Sequence, residues 1–252
     1  MRLFVAREDV SGDCVSFGAA DARHMYLVLK MTPGEEVSVC DDDGNLYECR
    51  LTRIDKSSAE AEIISRREYS SEPSVGVTVY AALSKGERFD YLIQKCVECG
   101  AAHIVPFVSE RCVARPEKRD YEKKRLRFAR IAEEASKQSR RTRRVSVGEI
   151  VDFSQALALA AQSELPLLLY EGERGFSLKS ALQGLGSGAS VAVITGPEGG
   201  FSSGEAEAAA AAGVRSVSLG PRILRCETAP VAALCAIMYE TGNFEISESG
   251  EL

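Results

Sequence analysis

The sequence predicts an α/β protein in two parts, a small mostly β domain over residues 1–72 and a larger domain of alternating strands and helices over 73–252. Three features carry this prediction. Short alternating apolar runs broken by turn residues fill residues 1–70, the pattern of half-buried strands. After Glu72-Pro73-Ser74 the pattern changes to strand, helix, strand, the arrangement of a parallel sheet. Late in the chain two β-type runs, Ser190–Thr195 and Val214–Leu219, each end in a Gly/Pro corner, GPEGG and GPRILR. Open α/β sheets place ligands in loops at the carboxyl ends of neighbouring strands, and glycine lets backbone groups approach a ligand closely.

In the first part the strand candidates are LFVA, DCVSF, EEVSVC, LYECRLTRID and SAEAEIISRRE. Asp43-Gly44, between two of them, is a hairpin signal. One helical insert, Asp21–Lys30, stops near Pro33-Gly34. Several short strands closing on themselves predict a small barrel. In the second part VGVTVYAAL reads as a strand, Arg88–Cys99 as a helix capped by Gly100, and HIVPFVS as the next strand. Helices follow in DFSQALALAAQ and around LKSALQGL, with PLLLYEG as a strand between them. Between the two Gly/Pro corners a helix starts in a capping box, Ser202-x-x-Glu205, and continues through an Ala-rich body. The last helix, Glu227–Thr241, carries Ala232, Ala233, Cys235, Ala236 and Met238, small residues that permit close packing inside the chain or between subunits.

Composition narrows the function classes. With 45% hydrophobic and 27% charged residues the chain reads as an ordinary globular protein. No apolar run is long enough to span a membrane, and MRLFVAREDV has no apolar signal core, so a cytoplasmic location with reduced thiols is expected. Cys96-x-x-Cys99, with His103 and Cys112, is the one grouping at metal-ligand spacing. Against it, Phe89, Leu92, Ile93, Cys96 and Val97 form the buried stripe of a helix, so Cys96 reads as packing and no metal is expected.

The net charge of −6 hides an asymmetry. Residues 111–144 hold 14 Lys/Arg against 5 Asp/Glu, and local potential rather than net charge steers a polyanion. Tyr121, Phe128, Ile131, Ala132 and Ala135 can share one helical face there, leaving Lys123, Lys124, Arg127 and Arg130 to solvent or to RNA. The tail puts Arg140, Arg141, Arg143 and Arg144 in a loop, where guanidinium forks suit phosphate. Other chemistries are poorly supported. There is no G-x-G-x-x-G after the first strand of the second part, no G-x-x-x-x-G-K-[ST], no G-x-S-x-G, and only two His in the chain.

GPEGGFS followed by LGPRILRCETA closely resembles the two signature motifs of the RsmE family, ribosomal RNA uridine-N3 methyltransferases of the SPOUT superfamily. The likeness extends along the chain. Lys85, Gln94, Lys95, Glu98, Gly100, Ile104, Pro106, Ser109 and Arg111 match one family segment, and Glu134, Ala135, Gln138, Ser139 and Arg140 another. RHMYLVLKMTPGEEVSVCDDDGNLYECRL is similar to the family's N-terminal PUA-like stretch, where His24 is either an RNA contact or a helix-start residue.

The resemblance implies a PUA-like RNA-binding barrel followed by a SPOUT methyltransferase domain with a deep trefoil knot, a homodimer acting on 16S ribosomal RNA within the small ribosomal subunit. It implies S-adenosylmethionine as cofactor, held by Ile194, Thr195, Gly196, Glu198 and Gly199 with Leu219, Gly220, Ile223, Leu224 and Arg225, and with the tip Leu169–Gly172 as a third wall; Ile194 and Leu219 could equally be core. Arg225 and Glu198 would be catalytic, with Glu227 either assisting or serving as a first-turn helix carboxylate. RNA contacts would come from His24, Lys85, Arg111, Arg140, Arg141, Arg143 and Arg144. Two other readings stay open: a SPOUT enzyme with a different target base, and an inactive ribosome-binding assembly factor.

Overall fold

The alternating runs at the start of the chain fold into one six-stranded sheet. In the computed structural model, which describes residues 2–67 and 70–245, this sheet contains β1 (Arg2–Phe4), β2 (Val10–Ser11), β3 (Cys14–Phe17), β4 (Glu36–Cys40), β5 (Leu46–Ile54) and β6 (Ala59–Arg67). Their order is β1-β4-β5-β6-β3-β2; β1 and β4 are parallel and the other pairs antiparallel. Glu68, at the end of the run read as the last strand, lies outside the described residues. Alternation puts Val37, Val39, Tyr47, Cys49, Leu51, Ala59 and Ala61 on the inner face, where they pack with Leu3, Val15, Phe17 and Met25. At the predicted Asp43-Gly44 turn, the Asp41 carboxylate accepts the Asp43 and Asn45 backbone N–H groups and the Tyr47 hydroxyl. Gly44 supplies the positive φ of 86° that this turn needs.

The helical insert begins earlier than its sequence pattern. α1 (Ala19–Arg23) runs into a wider π-type turn over His24–Val28 and stops at Lys30, whose φ is 54°. His24 is exposed where α1 ends and the π-type turn begins.

Residues 136–144 also belong to this first unit, which comprises 1–72 and 136–144. Glu72 holds them. Its carboxylate accepts the Arg141 guanidinium, at 2.9 Å to Nε, and the backbone N–H groups of Thr142 at 2.9 Å and Arg143 at 3.0 Å. Burial alone would raise the Glu72 pKa, but the Arg141 and backbone donors outweigh it and hold the carboxyl below its usual 4.5. Arg141 is only 5% exposed, so its place in the predicted phosphate-binding loop is corrected: its fork is turned inward onto a carboxylate. Arg143 donates to the Asp43 carbonyl and Arg144 pairs with Asp42, both at the protein surface. Arg140 is exposed, with φ 56°.

The second unit, residues 73–135 and 145–252, is built on a parallel sheet. Its elements are β7 (Gly76–Ala82), α2 (Arg88–Glu98), β8 (His103–Val108), α3 (Tyr121–Gln138), β9 (Ser146–Val147), β10 (Val151–Asp152) and α4 (Phe153–Ala160). They continue with β11 (Leu165–Leu169), α5 (Leu178–Ala181), β12 (Ser190–Thr195), α6 (Ser203–Ala211), β13 (Arg215–Val217) and α7 (Ala229–Glu240). The last turn of α3 falls in the first unit. Strand order is β10-β8-β7-β12-β11-β13, with β9 also on β8.

Both faces of the sheet are covered, which explains the nearly continuous apolar strands. On one face α2, α3, α5 and α7 bury Phe89, Leu92, Phe128, Leu178, Leu234 and Ile237 against Val77, Val79 and Val193. On the other, α4 and α6 cover Tyr80, Phe107 and Ile194 with Leu157 and Ala209. The predicted stripe Phe89, Leu92, Ile93, Cys96, Val97 is fully inside, and each large apolar side chain so buried contributes about 1.5–3 kcal/mol before its entropy is charged. On α7, Ala233 and Met238 turn to the core, whereas Ala232 and Ala236 face outward beside Tyr239, which is 77% exposed. Among the described residues no helix is long and apolar enough to cross a membrane, and no group of three His, Cys, Asp or Glu side chains is placed to hold a metal.

Candidate active site

β7 and β12 are neighbours, but the chain leaves them in opposite directions. From β7 it crosses by α2 to β8; from β12 it crosses by α6 to β13 beyond β11, and α2 and α6 lie on opposite faces. Such a divergence opens a crevice at the carboxyl ends of the two strands. The loop after β7 begins at Leu83, and the loop after β12 is Gly196-Pro197-Glu198-Gly199-Gly200. One carboxylate oxygen bridges them: Glu198 Oε1 accepts the Lys85 backbone N–H and the Arg88 guanidinium, both at 3.0 Å.

The GPEGG loop is held open from three sides. The capping box forms as its spacing predicts, with Glu205 N–H donating to Ser202 Oγ and Ser202 N–H to Glu205 Oε2. The other Glu205 oxygen accepts the Glu110 N–H at 2.9 Å, tying the loop after β8 to the start of α6. Arg111 reaches across to the carbonyls of Gly199 and Phe201, at 3.1 and 3.3 Å. Arg111 stays exposed beside the loop that it braces. Gly200 is required by its φ of 63°.

Under the loop lies a cleft of about 450 Å³, in the range of small-molecule sites. Thr195, Gly196, Glu198, Gly199, Ile223, Leu224 and Arg225 line it, together with Leu169 and Glu171 of the β11 tip, Arg88, Cys226 and Glu227. Three carboxylates and two guanidiniums therefore face a cavity floored by glycine backbone. Burial, then the bond its thiol makes to Glu227, pushes Cys226 up to about 12, so it is a neutral thiol and no nucleophile at neutral pH. Burial would raise Glu227, but its own backbone N–H, the Cys226 thiol and the Arg88 and Arg225 charges hold it below the usual carboxylate value. It sits beside Thr228, the residue that caps α7.

The structure divides the sequence-derived set. Leu219 and Gly220 line a separate cleft of about 620 Å³ with Leu178, Ala232, Ala236 and Tyr239; Leu224 alone of the set borders both. Ile194 lines neither, because its side chain is fully buried in the core under α4 and α6. A Cβ on Gly196 would meet the Phe201 ring at 3.2 Å, so that glycine serves loop packing, whereas Gly220 is fixed by its φ of 102°. Ile223 is 88% exposed on the tip between the clefts. Leu169 and Glu171 belong to the Leu169–Gly172 tip expected as a third wall; Arg88 has no motif behind it, and its only local signal is its position three residues after Lys85, at a helix start.

The family described as RNA methyltransferase domain matches residues 71–238, and the RNA methyltransferase PUA domain matches residues 17–64. The ribosomal RNA small subunit methyltransferase E of Bacillus subtilis is 32% identical over 231 residues, covering 90% of each chain. That of Synechocystis is 32% identical over 237 residues, 94% of this chain and 76% of the relative. The crystal structure of ribosomal RNA small subunit methyltransferase E from Neisseria gonorrhoeae, bound to S-adenosyl methionine, superposes with a TM-score of 0.84 at 32% identity, over 94% of this chain and 96% of that one. A domain match through the parallel-sheet unit, a PUA match in the first unit and these relatives together show that the chain belongs to the ribosomal RNA small subunit methyltransferase E (RsmE) family of RNA methyltransferases.

Proposed function

We propose that this protein transfers a methyl group from S-adenosylmethionine to N3 of a uridine in 16S ribosomal RNA. The observation that carries the reading is the GPEGG cleft, in which backbone glycines, apolar Leu169 and Leu224, and both signs of charge surround about 450 Å³. These residues fit the cofactor. Its adenine suits the apolar walls and close backbone, and its ammonium and sulfonium charges suit Glu171, Glu198 and Glu227. When bound, the cofactor supplies an electrophilic methyl on sulfur, which nitrogen displaces.

The chain's own residues answer what the uridine demands. N3–H is a weak acid, so attack needs its proton removed and the charge forming on O2 and O4 stabilised. Arg225, a guanidinium with donors and no acceptor, is a partner for that oxygen charge but no base. Glu198 is the proton acceptor; Oε2 makes no hydrogen bond among the described residues while Oε1 is held by Lys85 and Arg88. The target base must be unpaired or flipped to offer its Watson–Crick edge.

The same reading extends to architecture. The loops of 195–228 form the trefoil knot of the superfamily, a rarity that only family likeness supports. The first unit closes as a PUA-like barrel whose exposed His24, Arg140, Arg143 and Arg144 meet RNA, and the outward face of α7 joins a homodimer in the cytoplasm. Mapping ribosomal RNA by mass spectrometry tests the proposal: cells lacking the protein should lose one N3-methyluridine from small-subunit RNA. An unchanged modification map would refute it.

A further inference from the structure

Beside the GPEGG cleft lies another hollow, of about 490 Å³, lined by Lys85, Gly86, Glu87, Arg88, Val113 and Glu198. The two hollows have Arg88 and Glu198 in common, so a single ion pair is their partition. The pair is partly open to solvent, Arg88 46% and Glu198 23% by side chain, and is not a sealed structural bridge. Val113, in the same lining, holds an apolar side chain 66% exposed. Lys85 gives its backbone N–H to Glu198, while its exposed side chain makes no ion pair among the described residues.

Resting on the methyl-transfer reading, we propose that this hollow receives the target uridine and that the Arg88–Glu198 pair reads its Watson–Crick edge. The chemistry of the edge fits a carboxylate beside a guanidinium. Uracil presents an N–H donor at N3 between two carbonyl oxygens. Glu198 Oε2 accepts the N3–H, Arg88 donates to the O4 carbonyl, and Val113 covers one face of the ring. Cytosine presents a lone pair at N3 to the same carboxylate and an amino group to the same guanidinium, so both contacts turn repulsive. The Lys85 ammonium takes a flanking phosphate. Because the partition also faces the GPEGG cleft, a base seated here has its N3 turned toward the cavity assigned to the cofactor.

The test uses the full chain saturated with S-adenosylhomocysteine and two probes, uridine 5′-monophosphate and cytidine 5′-monophosphate, titrated by NMR. The wild type should prefer the uridine nucleotide by about tenfold or more, as expected where mismatched polar groups would be left unpaired. Arg88→Ala should abolish the preference and lower kcat on small ribosomal subunits about 100-fold, with melting temperature and S-adenosylmethionine affinity held. Arg88→Lys should restore part of the preference. Lys85→Gln should raise KM for RNA at constant kcat and reduce the salt slope by about one counterion. Equal binding of the two nucleotides, or a preference that survives Arg88→Ala, overturns the assignment. A fall in cofactor affinity parallel to activity in Arg88→Ala also overturns it, by placing Arg88 in the cofactor cleft alone. Failure of the methyl-transfer reading shows separately, as wild-type protein that yields no methylated uridine, because nucleotide preference is read without turnover.

Discussion

Glu72 and Glu198 do the same thing in different surroundings. Each carboxylate gathers an arginine and at least one backbone N–H, and each ties a loop to a distant part of its own unit. Glu72 is saturated: Arg141, Thr142 and Arg143 occupy both its oxygens, and Arg141 is nearly out of water. Glu198 has its hydrogen bonds on one oxygen only, and the residue lines two cavities. A saturated buried pair fixes structure, whereas a half-used, half-exposed pair keeps bonding capacity for a ligand. The contrast separates a buried arginine from one still open to solvent, where the sequence offers only arginine.

The largest expected effect breaks the saturated side. Glu72→Ala leaves Arg141 buried without its carboxylate and should cost about 3–5 kcal/mol, read as a lowered unfolding midpoint with catalytic constants intact at low temperature. Because the folded Glu72 pKa is depressed, its stabilisation is full above the usual 4.5 and is lost as pH falls through the folded value. The difference in stability between wild type and Glu72→Ala should therefore shrink on acidification. A pH-independent difference would show that the carboxylate charge is not what holds the loop.

On the unsaturated side the ledger shifts from stability to rate. Arg225→Ala should lower kcat by roughly two to three orders of magnitude, the effect of losing one preorganised donor, with little change in cofactor affinity by calorimetry. Arg225→Lys should recover only part of it. Near-normal turnover on small ribosomal subunits in Arg225→Ala would remove that residue from the mechanism.

Glu198→Gln sharpens the comparison, since it deletes the charge but keeps the shape. It should lower kcat by about 100-fold if the carboxylate accepts the N3 proton, yet move the melting temperature little, because an exposed pair contributes about 0–1 kcal/mol. A large loss of stability would make Glu198 a second Glu72. The smallest effect belongs to the surface. Changing Arg140, Arg143 and Arg144 to Gln while sparing Arg141 should weaken RNA binding and flatten its salt dependence by roughly one counterion per lost contact. Unchanged affinity and slope would mean that Arg143 and Arg144 only support the Asp42–Asp43 turn and that Arg140 is only solvated surface.

What the sequence disclosed was whatever local spacing encodes. The α2 stripe from Phe89 to Val97, the Ser202–Glu205 box and the Asp43-Gly44 turn all formed as their spacing requires. Local spacing says nothing about partners far along the chain. Glu72 reads as a linker residue because Arg141 lies 69 positions away, and Arg111 reads as a free cation because its acceptors at Gly199 and Phe201 lie 88 and 90 away. The motif GPRILR likewise hides that Gly220 and Arg225 line different cavities, since a loop tip with Ile223 exposed parts them.

The excursion of residues 136–144 into the first unit also sets a schedule for synthesis. A ribosome releases β1 to β6 first, yet Glu72 stays without Arg141 until β7, α2, β8 and α3 have followed. At about 5–20 residues per second the wait between positions 72 and 144 is about 4–14 s. For that interval the nascent first unit is a sheet without its clasp, and a fragment ending at Glu72 would remain so permanently. Excising the unit as a working piece therefore requires supplying the 136–144 segment, joined or in trans.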